Sequence, residues 1–163
     1  MAYDAFLKLD GIDGEVAAKG YEKWIEVFSF SWGASNAGTS ATGGGGGAGK
    51  ASFQDLHFTT GTSKASPLLF MKCATGEHIP SGLLYMRKAG GDANGGGNVF
   101  LKYELEDILV SSFQQAGAEQ GDDRPVEDVS LNFVKIDFLY TGAPDGTTVE
   151  AGWDVRANGP FAP

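Results

Sequence analysis

The spacing of apolar residues is the feature that most constrains this chain, because apolar and polar side chains alternate along most of its 163 residues. Such alternation is typical of β-strands, in which successive side chains point to opposite faces. Turn-forming clusters of Gly, Pro, Asn and Asp separate the later stretches. The pattern predicts one domain, an antiparallel β-barrel or sandwich, with strands over residues 3–11, 24–33, 51–60, 83–89, 98–107, 109–115, 129–140 and 149–157.

One segment breaks this alternation and predicts a single short helix. Ser66 is a favourable N-cap, and Pro67 after it suits the first helical position. Gly76 can end the helix in the left-handed conformation. We therefore expect two to three helical turns between these residues.

Large apolar groups occur on both faces of strand 24–33. The aromatic face is expected to enter the core, and the opposite face carries Ser29 and Ser31. Two explanations stay open for the excess of apolar surface: the helix covers it, or another subunit does. The residues assigned to the aromatic face are Trp24, Phe28, Phe30 and Trp32.

The apolar phase of strand 51–60 slips between Phe53 and Leu56. An extra residue inserted into one strand of an antiparallel pair shifts the alternation in this way. We therefore predict a β-bulge between these two residues.

Charge argues against two classes of partner. The formal net charge is −9, from 21 acidic and 12 basic residues, and no cluster of Lys and Arg interrupts it. Such a chain repels the phosphates of nucleic acids and anionic lipids. No apolar stretch approaches the length of a membrane span, so we expect no membrane insertion.

The single cysteine, Cys73, excludes an intramolecular disulfide and fits folding in a reducing cytoplasm. The N-terminus, MAYDAFLKLDG, has no basic region followed by a long apolar run. We therefore expect no cleaved signal peptide.

The glycine run in TGGGGGAGK, residues 42–50, resembles the sequence of a phosphate-binding loop but lacks two features that such a loop needs. Ala51 follows Lys50 and has no hydroxyl for a magnesium ion. A helix should begin at the lysine, whereas the sequence from Ala51 alternates as a strand. A projecting, adaptable loop over about 34–50 explains the run better than a nucleotide site.

Other candidate sites are equally weak, so the sequence predicts no enzyme, no cofactor and no metal site. Asp10 and Asp13 lack the spacing of a calcium loop. His57 and His78 have no neighbouring ligands at metal-binding spacing. Cys73 lies in the apolar helix, where an inert buried thiol is the simpler interpretation.

Seven segments, taken together and in this order, carry a resemblance that spans almost the whole chain. The chain strongly resembles the hemolysin-coregulated protein (Hcp) family, which forms the tube of the bacterial type VI secretion system. The segments are FSFSWG (28–33), TGGGGGAGK (42–50), QDLHF (54–58), TGEHIP (75–80), MRKAGG (86–91), ILVSS (108–112) and EDVSLNFVKIDF (127–138).

The resemblance implies a β-barrel of two sheets with a flanking helix, similar to phage tail-tube proteins. It implies a homohexameric ring whose copies stack into a hollow tube, with a valine-glycine-repeat spike protein as cap and a contractile sheath outside. The tube is expected to be built in the cytoplasm, to be expelled by the type VI system, and to carry effector proteins in its lumen.

Two groups of residues are expected to act in this assembly. Ser29 and Ser31 are predicted to face the lumen and contact effectors. The glycine run and Lys50 are predicted to belong to a loop that contacts the neighbouring ring, and the glycines are Gly43, Gly44, Gly45, Gly46 and Gly47. The alternative function is a monomeric β-sandwich that binds carbohydrate or peptide through its tryptophans.

Overall fold

The computed structural model describes residues 3–38, 50–88, 98–119, 121 and 123–162. These residues form ten strands and one helix. In chain order they are β1 (Tyr3–Leu9), β2 (Ile25–Val27), β3 (Ser29–Asn36), β4 (Ala51–Gly61), α1 (Ser66–Thr75), β5 (Ile79–Lys88), β6 (Val99–Ala116), β7 (Val126–Asn132), β8 (Lys135–Tyr140), β9 (Val149–Asp154) and β10 (Gly159–Phe161).

All strand pairs are antiparallel, and β6 belongs to both sheets. Its first half pairs with β5 and β8, in a sheet ordered β2-β1-β5-β6-β8-β9-β10. Its second half pairs with β7, which continues through β4 to β3. The prediction of a mainly β fold with antiparallel sheets and one short helix is confirmed.

A closed barrel, however, is wrong for this chain, because the sheet stays open between β2 and β4. Among the described residues two hydrogen bonds cross this gap, one of them from Phe28, which directly follows β2. The Phe28 N–H donates to the Thr59 carbonyl (2.8 Å), and the Thr60 hydroxyl donates to the Glu26 carbonyl (2.6 Å). β2 has three residues and the chain bends at Phe28, so no continuous ladder forms there.

The bend at Phe28 also corrects the predicted faces of strand 24–33, which divides into β2 and β3. Ile25 and Val27 are buried before the bend, whereas Phe30 and Trp32 pack against the core after it. The inward side therefore changes from odd to even positions. Phe28 itself is 54% exposed, so the prediction that it enters the core is wrong.

Two other strand boundaries differ from prediction. The segments 98–107 and 109–115 form one strand, β6, which turns at Asp107 with φ 54°. The segment 129–140 instead divides into β7 and β8. Alternation alone cannot show whether two such segments form one strand or two. The same alternating pattern is compatible with a kink inside one strand and with a loop between two strands.

The bulge predicted between Phe53 and Leu56 is confirmed. Ser31 pairs with His57 and Gly33 pairs with Gln54, so two steps along β3 match three along β4. Phe53 and Leu56 both turn toward the core as a result. β3 extends to Asn36, which makes the connection before Lys50 shorter than the predicted loop.

Helix α1 begins one residue before the predicted first turn. Its N-cap is Ala65, without a side-chain hydrogen bond. The Ser66 hydroxyl instead accepts from the Ser63 N–H and donates to Glu127. The predicted C-terminal cap is confirmed, since Gly76 has φ 73° and its N–H donates to the Lys72 carbonyl (3.0 Å).

The core lies between the two sheets, and α1 contributes Leu69 to it. Burying each such side chain fully contributes about 1.5–3 kcal/mol relative to exposure. The largest buried core side chains are Phe58, Leu7, Leu9, Ile25, Leu56, Leu69, Ile79, Leu84, Met86, Leu105, Ile108 and Leu131.

Candidate functional site: the polar face

The solvent side of β3, β4, β7 and the end of β6 is lined by small polar side chains. Cross-strand pairing arranges them in two rows, because partners at the same register share a face. We call this surface the polar face. Its first row is Ser31, His57, Ser130 and Ser112, and its second row is Ser29, Thr59, Asp128 and Gln114.

Ser29 and Ser31 therefore lie on the side opposite Phe30 and Trp32, and both are exposed. The Ser29 hydroxyl lies 2.7 Å from the Thr59 hydroxyl across the β3–β4 pair. The structure thus places both serines on one open sheet surface. It brings them beside side chains on β7 and β6 that the sequence did not connect with them.

His57 and Asp128 are the charged pair of the polar face, and sequence reasoning missed their proximity. His57 Nε2 lies 3.5 Å from Asp128 Oδ1, and both side chains are nearly half exposed. An exposed pair of this kind is worth about 0–1 kcal/mol. Alternation over 126–132 could have placed Asp128 on the solvent side, opposite the buried Val129, but its position beside His57 depends on the pairing of β4 with β7.

Two bulges meet at the end of the polar face and hold Asp55. The Ser111 hydroxyl donates to Asp55 Oδ2 (2.5 Å), and the Asn132 amide donates to Oδ1 (2.9 Å). Asp55 lies in the β4 bulge, and Ser111 lies where the register of β6 shifts. These contacts fix the Asp55 carboxylate on the same side as His57.

Ser31, His57 and Asp128 are not joined by the hydrogen bonds that link a catalytic triad. A nucleophile and its base need a hydrogen bond of about 2.6–3.2 Å. Among the contacts of the described residues, none joins the Ser31 hydroxyl to His57, and the His57–Asp128 separation of 3.5 Å is longer than that range. The polar face is suited to hydrogen-bonded contact with another surface.

The described part of the chain shows no group of three or more His, Cys, Asp or Glu side chains placed to hold a metal ion. It likewise has no helix whose length and apolarity would let it cross a membrane.

The predicted ring-contact residues are only partly visible. Gly43 to Gly47 lie outside the described residues. Lys50 is exposed and directly precedes β4. The strand predicted after Lys50 is therefore confirmed, and the helix that a phosphate-binding loop needs does not begin there.

The tryptophans do not form a display surface for carbohydrate. Trp32 and Trp153 are partly buried and pack against the core. Trp24 contacts the Tyr21 and Tyr85 rings at centroid distances of 5.0 and 5.3 Å. Nothing in these contacts favours the alternative of a carbohydrate- or peptide-binding module.

Comparisons with known proteins agree along almost the whole chain. The family model described as "Type VI secretion system effector, Hcp" matches residues 6–140. "Protein hcp1" of Pseudomonas aeruginosa is 41% identical over 163 residues, covering 97% of this chain and 98% of that protein.

Solved structures give the same result. Hcp1 from Salmonella typhimurium matches with a TM-score of 0.80 and 37% identity, over 99% of this chain and 100% of that one. A structure described as a type six secretion system protein has a TM-score of 0.87 and 31% identity, over 98% of this chain and 100% of that one.

Proposed function

The chain belongs to the Hcp family and is a tube subunit of a type VI secretion system, and from this membership we propose that six copies close into a ring. Rings of this kind stack into the tube. A heterologous interface closes into a ring when its rotation permits, and otherwise continues as a filament. Exposed aromatic residues such as Phe28, Phe138 and Tyr140 provide apolar surface for such contacts.

The observation that carries the assignment of the lumen is the polar face. A channel that passes folded cargo needs a wetted wall of short side chains, and Ser29 and Ser31 meet both conditions. Their neighbours across β4, β7 and β6 extend the same chemistry over four strands. We therefore assign the polar face to the lumen and Ser29 and Ser31 to contact with effector proteins.

The remaining partners follow from the tube assignment. The spike protein would cap the stack and the contractile sheath would surround it. The subunit would be made in the cytoplasm and exported by the type VI system itself, as a structural protein without a catalytic role.

Measurement of mass in solution tests the ring directly. Sedimentation velocity should give about six chains per particle. A purely monomeric result would contradict the ring, and an electron micrograph of the particles should show the central opening.

The lumen assignment is tested by Ser31→Gln. The longer side chain should leave ring formation intact and reduce the effector recovered with the rings, because it would enter the channel. Ala157→Gln is the control, since Ala157 is exposed and lies in the turn between β9 and β10, on the other sheet. Equal recovery from both variants, or a ring structure with Ser31 outside the channel, would contradict the assignment.

We also propose that the loop containing Gly43 to Gly47 and Lys50 contacts the neighbouring ring. Glycines supply little packing surface and gain order from a partner. Deleting the five glycines should leave rings intact and impair tube growth and secretion. Normal tubes from that variant would refute the role of the loop.

A further inference from the structure

A second candidate site lies on the opposite part of the fold, on the solvent side of β6, β8 and β9. A cavity of about 120 Å³ opens there, and three carboxylic side chains and one aromatic ring line it. We call it the acidic pocket, and its lining residues are Glu104, Glu106, Asp137 and Phe161. Glu104 pairs directly with Asp137 across β6 and β8.

Asp137 is the unusual member of the acidic pocket. It is only 7% exposed, and its Oδ1 atom has no hydrogen-bond partner among the described residues. A buried carboxyl oxygen without a partner is costly, so such atoms call for an explanation. Because Asp137 lines the cavity, a ligand placed there could supply the missing donor.

One lysine already contacts two lining residues of the acidic pocket, and a second lies near it. Lys135 Nζ lies 3.7 Å from Glu106 Oε2 and 5.4 Å from the centre of the Phe161 ring. Lys102 Nζ lies over the Tyr85 ring at 4.9 Å. Among the described residues neither lysine forms an ion pair with Glu104 or Asp137, so these two side chains and Glu150 on β9 form a local excess of carboxylates.

We propose that the acidic pocket binds a primary alkylammonium group, the end of a lysine side chain on a protein partner. An ammonium donates three hydrogen bonds, which suits Asp137 Oδ1 and Glu104. The Phe161 ring already has Lys135 Nζ at 5.4 Å from its centre, so the carboxylic side chains carry the recognition of the ligand. A divalent metal fits less well, because no three carboxylates in the described part of the chain have metal-binding geometry.

Protonation of Asp137 should compete with this ligand. Burial and the hydrogen-bonded, negatively charged Glu150 raise the pKa of Asp137 to about 7, with Glu104 adding to the effect. The other charged groups on this face are Lys102 and Glu106 on β6, Lys135 on β8 and Asp154 on β9. A single competing proton with this pKa gives roughly tenfold tighter binding at pH 8 than at pH 6.

Titration calorimetry of the full chain with butylammonium chloride at constant ionic strength tests the proposal. We expect saturable binding that is roughly tenfold tighter at pH 8 than at pH 6. Tetramethylammonium chloride, which has no N–H donor, should bind more weakly. The peptide acetyl-Gly-Lys-Gly-amide should bind as butylammonium does, because the site would accept a lysine that belongs to a protein.

Asp137→Asn should remove the pH dependence and most of the binding. Glu104→Gln, at an exposed position that cannot disturb the core, should also weaken it, whereas the remote and exposed Asp13→Asn should not. Binding that is unaffected by Glu104→Gln, or stronger for calcium chloride than for butylammonium, would overturn the assignment. Binding of butylammonium without the lysine peptide would identify a small amine as ligand and overturn the protein partner.

Discussion

Glu127 is the only fully buried carboxylate among the described residues, and it fixes the start of α1 to β7. It is 0% exposed, and neutral donors surround it without a cation. Ser66 donates to Oε1 (2.8 Å), and Gln115 donates to Oε2 (2.9 Å). The Thr62 hydroxyl lies 3.0 Å from Oε2 and 3.0 Å from the Pro125 carbonyl, so its proton is shared.

Glu127→Gln should destabilise the fold because it replaces one carboxylate oxygen, an acceptor, by an NH₂ group, whereas the side chains that contact Glu127 all donate to it. If the amide oxygen keeps the Gln115 contact, its NH₂ group faces Ser66, and the Ser66 hydroxyl proton loses its acceptor. One charge-assisted hydrogen bond is lost, which costs about 1.5–3 kcal/mol. For a domain of this size that corresponds to a fall in Tm of about 3–12 °C.

A double-mutant cycle with Ser66→Ala isolates this contact. Chemical denaturation at fixed protein concentration should show a coupling free energy of about 1–3 kcal/mol between the two sites. Asp128→Asn is the matched control, because this neighbour on β7 is half exposed and should change stability by about 0.5 kcal/mol at most. Additive effects of the two substitutions would refute the proposed role of the Ser66–Glu127 contact.

Three further predictions concern the other half of the fold. Because the pKa of Asp137 is raised to about 7, its protonated form favours the folded state, and stability should fall as pH rises from about 4 to 7. Asp137→Asn should flatten that fall in the free energy of unfolding. A variant with the same dependence of stability on pH as the unmodified chain would contradict the role given to Asp137. Gly152→Ala should loosen β10 by about 1–3 kcal/mol, because the new Cβ would lie 2.9 Å from the Phe161 ring and 3.0 Å from its carbonyl oxygen. Gly159→Ala is the control, with its nearest atom at 4.0 Å, and hydrogen exchange of β10 measures both. Asp107→Gly should be more stable than Asp107→Ala by about 1 kcal/mol, since φ 54° suits glycine; equal thermal stabilities would argue against strain there.

The sequence predicted local features better than connections between them. The bulge in β4 and the left-handed cap at Gly76 were predictable, because each leaves a mark within a few residues. The exposure of Phe28 was not, because its aromatic character fits a core and only the bend places it outside. The polar face was half predictable: alternation put Ser31 opposite Trp32, but the pairing that brings His57 and Ser130 beside it is set by contacts distant in the chain.

The kink in β6 explains why one small fold presents two faces of different chemistry. Residues before Asp107 carry Glu104 and Glu106 outward in one sheet, whereas residues after it carry Ser112 and Gln114 outward in the other. Aspartate tolerates a positive φ better than most residues, and His78 Nδ1 and Arg156 both contact its carboxylate. The His78 hydrogen bond lowers the pKa of Asp107. The carboxylate therefore stays ionised, and keeps these contacts, at a lower pH than an ordinary aspartate would. One turned residue thereby separates the acidic pocket from the polar face, and each can meet a different partner.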